Sequence, residues 1–173
     1  MRTPAAAMRI VVDTNVLVAA LIHPAGPCGR LLDLVLDGVV EACVDARLIA
    51  EYSDVLRRPK FRLSAVDVES VVASFWQSAI PLSVPPLNVI LPDPDDLPFL
   101  EVAAAGNAIL VTGNRRHFPK PATTSVVVLS PTECLEALRR TGGNRVEAAA
   151  LLSIHLTTLY FRLKKYGILL KGI

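Results

Sequence analysis

Four short runs of nearly unbroken apolar residues, at 9–12, 39–44, 108–112 and 126–129, alternate with stretches of helical periodicity. A strand with one face in water alternates apolar with polar, so a run without that alternation is buried on both faces. Strands of this kind separated by helices pair in parallel, because a parallel connection is long enough to hold a helix. The expected fold class is α/β, a parallel sheet flanked by helices. Hydrophobic residues are 52% of the 173 and charged residues 20%, which suits a buried core and excludes wholesale disorder.

The helical stretches carry their own punctuation. One helix begins at 17–22, and a second at 30–36 stops at Gly38. Asp45 caps a helix that reaches Leu56 and halts before Pro59. Ser64 caps another over 65–80, with Val68, Val71, Val72 and Phe75 on one face. Pro81, Pro85, Pro86, Pro92 and Pro94 break up a loop that leads into a helix at 97–105. From Pro131 the pattern is helices only: 132–140, then 144–152 behind an Asn144 cap, then 156–166 stopped by Gly167. The last two, joined by Ser153-Ile154-His155, have the outline of a helix-turn-helix. The expected organisation is an α/β domain at 1–130, with 1–7 a flexible extension, and a small all-α helix-turn-helix appendage at 131–173.

Composition narrows the setting. No apolar stretch approaches the roughly 20 residues that span a bilayer. Residues 1–7 lack the apolar core of a signal peptide, and Met8, directly before the first strand, is the expected natural start. Cys28, Cys43 and Cys134 have no CxxC spacing and read as reduced, buried thiols. The cytoplasm is the expected location. Net charge is +2, with the basic excess in residues 131–173, where seven Lys and Arg face three Asp and Glu.

Three acidic groups fall where an apolar element ends or a helix runs. Asp13 closes Ile10-Val11-Val12 and precedes Thr14-Asn15; Glu51 lies in the 45–56 helix; Asp93-Pro94-Asp95-Asp96 opens the helix at 97. Each alone has an ordinary reading, Asp13 and Asp96 as helix N-caps and Glu51 as a solvated helix residue. Gathered at one rim of a parallel sheet, they form a hard-cation site suited to Mg²⁺ or Mn²⁺ and to phosphodiester hydrolysis. His23, His117 and His155 show no ligand spacing, and no GxSxG, P-loop or GxGxxG motif occurs. Arg115, Arg116, His117 and Lys120 read as a basic rim for a nucleic-acid backbone or as a solvated loop, and Arg57, Arg58, Lys60 and Arg62 as a second such track.

The blocks IVVDTNVLVAAL (10–21), LIAEYSDVLRRPKF (48–61), DPDDLPFLEVAAAGNAILVTGN (93–114) and RRHFP (115–119) together resemble the PIN-domain nucleases, most closely the group related to VapC-type toxins of bacterial toxin–antitoxin pairs. The resemblance covers about residues 8–130. It implies that Asp13, Glu51 and Asp96 are metal-binding, catalytic acids, with Asp93 a further candidate ligand. Thr14, Asn15, Thr112 and Asn114 are then their supports. Members often carry a fourth acid two residues after the Thr of a VTGD-like motif; here that position is Asn114, which brings no charge and implies one tightly held ion. The resemblance further implies an endoribonuclease, RNA as substrate, a small antitoxin as partner, and a homodimer.

Residues 142–168, GGNRVEAAALLSIHLTTLYFRLKKYGI, resemble the Fis-type DNA-binding helix-turn-helix. Small Ala148–150 side chains let two short helices cross closely, and Arg162, Lys164 and Lys165 stand where phosphates would be met. The segment His155-Leu156-Thr157-Thr158 departs from the usual Ser-plus-basic start of a recognition helix, and Leu156 reads no base edge. The tail reads as a DNA binder, as a dimerisation or antitoxin-contact module, or as a packing element. Two functions therefore compete: a metal-dependent endoribonuclease, and a DNA-binding regulator whose PIN-like part is silent.

Overall fold

The structure, a computed structural model, describes residues 7–142 except Pro121 and Thr124. The expected helices at 144–152 and 156–166, and with them Arg162, Lys164 and Lys165, lie outside the described residues.

The chain runs β1 (Arg9–Val12), α1 (Thr14–Ile22), α2 (Pro27–Leu36), β2 (Glu41–Val44), α3 (Ala46–Leu56), α4 (Ala65–Ser78), β3 (Ile80–Pro81), α5 (Leu97–Gly106), β4 (Ile109–Val111), β5 (Val128–Leu129) and α6 (Pro131–Gly142). Short 3₁₀ turns occupy Pro59–Phe61, Pro94–Asp96 and Arg115–His117. The five strands form one sheet in the order β3-β2-β1-β4-β5, and every neighbouring pair is parallel. The expected fold class is the one found. Ile10, Val11, Ala42, Cys43, Leu110 and Val111 have no exposed surface, as continuous apolar runs require.

The strand order matters for function. From β1 the chain builds outward to β2 and β3, then crosses back to β4 on the other side of β1 and continues to β5. Crossovers therefore leave in opposite directions from β1 and β4. In open parallel sheets a crevice opens at the carboxyl ends of two such strands, and ligands bind there. Asp13 follows β1 and Thr112 follows β4, so both sit at this divergence.

Several element ends differ from the expectations. The first helix begins at Thr14 rather than 17, and the second at Pro27, where a missing N–H costs nothing in the first turn. Residues 39 and 40 do not belong to a strand. Gly38 (φ +73°) turns the chain left-handed, and the N–H groups of Val39 and Val40 return to the Leu34 carbonyl, closing α2. The helix expected over 65–80 ends at Ser78, and Ile80–Pro81 forms an edge strand beside β2. Proline is tolerated there because an edge strand has one side free of the ladder. The strand expected over 126–129 is confined to Val128–Leu129, since the Val126 N–H closes a turn on the Thr123 carbonyl.

α6 packs against α2 and β5, burying Cys134, Leu135 and Leu138. Burial pushes the Cys134 thiol up to about 12, which keeps it protonated and inert. Among the described residues no helix is long and apolar enough to cross a membrane.

The α1–α2 corner is tightly packed. A methyl group at Gly29 would collide with the backbone carbonyl of Pro24. Gly29→Ala is expected to destabilise the fold by about 2–3 kcal/mol through backbone displacement. Urea unfolding checks this, and an unchanged midpoint would rule out the close approach.

Candidate active site

Asp13 heads α1, yet its side chain makes no helix-capping hydrogen bond. The carboxylate turns across the sheet instead. Oδ2 accepts from the Thr112 hydroxyl at 2.6 Å and from Asn15 Nδ2 at 2.9 Å. Asn15 Oδ1 in turn accepts the Gly113 N–H at 3.0 Å, and the Thr112 hydroxyl accepts the Asn114 N–H at 3.0 Å. With the Asp13 N–H donating to the Val111 carbonyl, the segments after β1 and β4 are clasped together by backbone and side chain alike. The ordinary helix-cap reading of Asp13 does not hold. Its expected supports Asn15 and Thr112 touch it directly, while the buried Thr14 hydroxyl has no partner among the described residues.

Asp96 precedes α5 and likewise makes no capping bond. Its Oδ2 lies 2.8 Å from His117 Nδ1, an ion pair when the imidazole is protonated, but one without regular hydrogen-bond alignment. Asp93 is differently used: Oδ1 accepts the Asp95 N–H at 3.0 Å and caps the 3₁₀ turn that delivers Asp96. Glu51 lies at the margin of the buried stripe of α3, which consists of Leu48, Tyr52, Val55 and Leu56.

Electrostatics ties these carboxyls to one another. Desolvation by burial raises Asp13 above the ordinary carboxylate range, against hydrogen bonds from Thr112, Thr14 and Asn15 and the charge of His117. Asp96 is raised by burial first and next by the charge of Asp13, with His117 opposing. Glu51 is raised by burial, opposed by Arg58, and raised further by Asp54, Asp95 and Asp13. Asp13 thus acts on both other acids, and few protein cations answer the cluster.

Among the described residues, no three His, Cys, Asp or Glu side chains stand as a ready-made coordination shell. The donor set nonetheless fits a divalent ion of the Mg²⁺ or Mn²⁺ type. It is all oxygen, partly desolvated and mutually repelling, and the residue after Asp13, Thr14, keeps a buried hydroxyl without a partner among the described residues.

The basic rim divides. Arg116 and Lys120 are exposed. Arg115 is paired with Glu133 at the start of α6, and His117 faces Asp96 rather than open solvent alone. In the second track, Arg57 pairs with Glu69 and Arg58 with Asp54.

Two features of the site escape sequence reasoning. Arg47 joins Asp45, the N-cap of α3, to buried Glu101 of α5 at 2.7 Å each, and Glu101 also accepts the Leu87 N–H. The Tyr52 hydroxyl donates to the carbonyl of Val12, the residue before Asp13. The only sequence signals available were a salt-bridge pair split between two helices and a polar-tipped aromatic inside an apolar stripe.

A five-stranded parallel sheet with Asp13 at its strand divergence, its charge acting on Asp96 and Glu51, defines the class as an α/β protein with electrostatically coupled acids. Residues 9–116 match the PIN domain family, a family of nucleases, and the chain belongs to it. Residues 135–166 match the bacterial regulatory protein, Fis family, a helix-turn-helix; that match begins inside α6. An uncharacterized protein of Methanocaldococcus jannaschii is 28% identical over 111 residues, covering 62% of this chain and 72% of that one. In the crystal structure of VapBC2 from Rickettsia felis bound to a DNA fragment from their promoter, one chain superposes with a TM-score of 0.51 at 18% identity. It covers 71% of this chain and 98% of that chain, a likeness of fold.

The raised Asp13 carboxyl has a consequence for pH dependence. Its folded pKa lies above its unfolded value, so the protonated form stabilises the fold and this contribution is lost as pH rises through the folded pKa. Without added metal, Asp13→Asn is expected to melt a few degrees higher than the parent at pH 7. The gap should close as pH falls below about 4. Calorimetry of both proteins across that range checks the sign, and a variant less stable at pH 7 would refute the burial argument.

Proposed function

We propose that this chain is a divalent-metal-dependent endoribonuclease with Asp13, Glu51 and Asp96 as its working acids, and that it is the toxin of a toxin–antitoxin pair. One observation carries the reading: a buried Asp13 carboxylate, held by Thr112 and Asn15 at the divergence of β1 and β4, whose charge acts on both Asp96 and Glu51. PIN-family membership supports hydrolysis of nucleic acid.

Asp13 and Asp96 would hold Mg²⁺ or Mn²⁺, with Asp93 near enough in sequence to assist when its cap is released. Once bound, the ion stabilises negative charge building on the scissile phosphate. Glu51 completes the oxygen set or orients the attacking water. Thr112 and Asn15 keep the Asp13 carboxylate from rotating, and Thr14, next in the chain, has a buried hydroxyl without a partner among the described residues. Asn114 is neutral and cannot act as a base, so a second ion would arrive only with substrate phosphate. Arg116 and Lys120 guide the backbone; Arg115 and His117 join them when released from Glu133 and Asp96.

The division proposed is a nuclease unit at 1–130, in the cytoplasm, and an appendage at 131–173. The likeness to a chain of the promoter-bound VapBC2 structure supports a small antitoxin as partner, and a homodimer is the proposed assembly. The Fis-family match supports a second reading, a DNA-binding regulator that contacts duplex DNA through Arg162, Lys164 and Lys165.

Labelled RNA and duplex DNA, each incubated with and without Mn²⁺, separate the two readings. The nuclease reading expects Mn²⁺-dependent shortening of RNA, lost by on the order of 1,000-fold or more in Asp13→Asn. Duplex retardation with RNA intact under all conditions favours the regulator. Full cleavage by Asp13→Asn would remove that residue from the site.

A further inference from the structure

Tyr52 touches each segment that carries an acid. It follows Glu51 in α3, and its side chain points inward where Glu51 stays at the margin. Its hydroxyl donates to the carbonyl of Val12, which ends β1 and precedes Asp13. Its ring lies against Phe99 of α5, three residues after Asp96, with centroids 6.2 Å apart and planes tilted by 48°. On another side it meets Phe75 of α4 edge-on at 5.4 Å and 79°. The side chain is wholly buried.

The hydroxyl is not needed to fill space, because a phenylalanine ring would make the same two aromatic contacts. What the oxygen adds is direction. A hydrogen bond loosens steeply with distance and angle, so this one fixes the rotation and height of α3 against the end of β1. The bond joins the inward face of α3 to the last residue of β1, directly before Asp13. The ring then transmits the same reference to α5 through Phe99.

Resting on the reading of Asp13, Glu51 and Asp96 as an acid site, we propose that Tyr52 is a positioning residue, its hydroxyl bond to Val12 setting the spacing of the three carboxylates. It touches neither RNA nor ion. The role predicts a defect in ion uptake and turnover without one in RNA binding.

The test compares the full-length protein with Tyr52→Phe and with Leu138→Ala, a packing variant in α6. Three quantities are measured: the Mn²⁺ isotherm, the melting temperature, and kcat and KM for RNA. Tyr52→Phe is expected to fold and to bind Mn²⁺ roughly 10-fold or more weakly, the cost common for residues that orient metal ligands. Its kcat falls while KM for RNA stays at the parent value. Leu138→Ala is expected to melt lower, with the Mn²⁺ isotherm unchanged. Parental Mn²⁺ binding by Tyr52→Phe overturns the proposal, as does an equal loss of Mn²⁺ affinity in Leu138→Ala. A parent protein that takes up no Mn²⁺ overturns the acid-site reading and this proposal with it.

Discussion

The bond from the Thr112 hydroxyl to Asp13 Oδ2 joins the ends of the two strands at which the sheet's connections diverge. β1 and β4 are neighbours in the sheet, but their connections leave in opposite directions, and nothing in a parallel ladder alone makes the loops beyond them meet. The clasp does so. It satisfies one oxygen of a buried carboxylate with two side-chain donors, which offsets part of the cost of keeping a charge out of water. It also orders residues 113 and 114 through the Asn15 amide and the Thr112 oxygen. Deprived of it, Asp13 would be a poorly solvated charge with freedom to turn.

Around that clasp the other acids are held by different means, and the difference is instructive. Asp96 is delivered by a 3₁₀ turn that Asp93 caps, so one member of the acidic run is spent on geometry while the other makes no capping bond. Glu51 is carried on a longer helix fastened at its N-terminus, through Arg47, to Glu101, which is among the few charged side chains buried in the described core. Arg47 is half-exposed and Glu101 buried, so breaking the pair leaves the Glu101 charge unpaired inside. Such ties suit a restraint on helix placement.

How much of this was legible beforehand follows from the range of each interaction. Strand runs, helix caps at Asp45 and Ser64, and the alternation that selects a parallel sheet are local patterns, and the structure repeats them. Asp13, Glu51 and Asp96 stood out only in company, through the resemblance carried by four blocks. Their contacts were beyond local reading: Thr112 lies 99 residues from Asp13, and Glu101 lies 54 from Arg47. Tyr52 sits at core spacing, where an aromatic normally signals packing, and nothing local reveals where its oxygen points. The edge strand at Ile80–Pro81 was hidden because proline ordinarily ends a pattern, and only the neighbour supplied by β2 makes two residues a strand.

α6 serves two descriptions at once. Its buried side, with Cys134, Leu135 and Leu138, completes the packing over α2 and β5, and the Fis-family match starts at position 135 of the same helix. One stretch of backbone is therefore shared property, and no cut between the halves leaves both intact. A chain trimmed at 130 would uncover a greasy strip on α2, whereas the downstream piece taken alone would lose the floor beneath its opening helix.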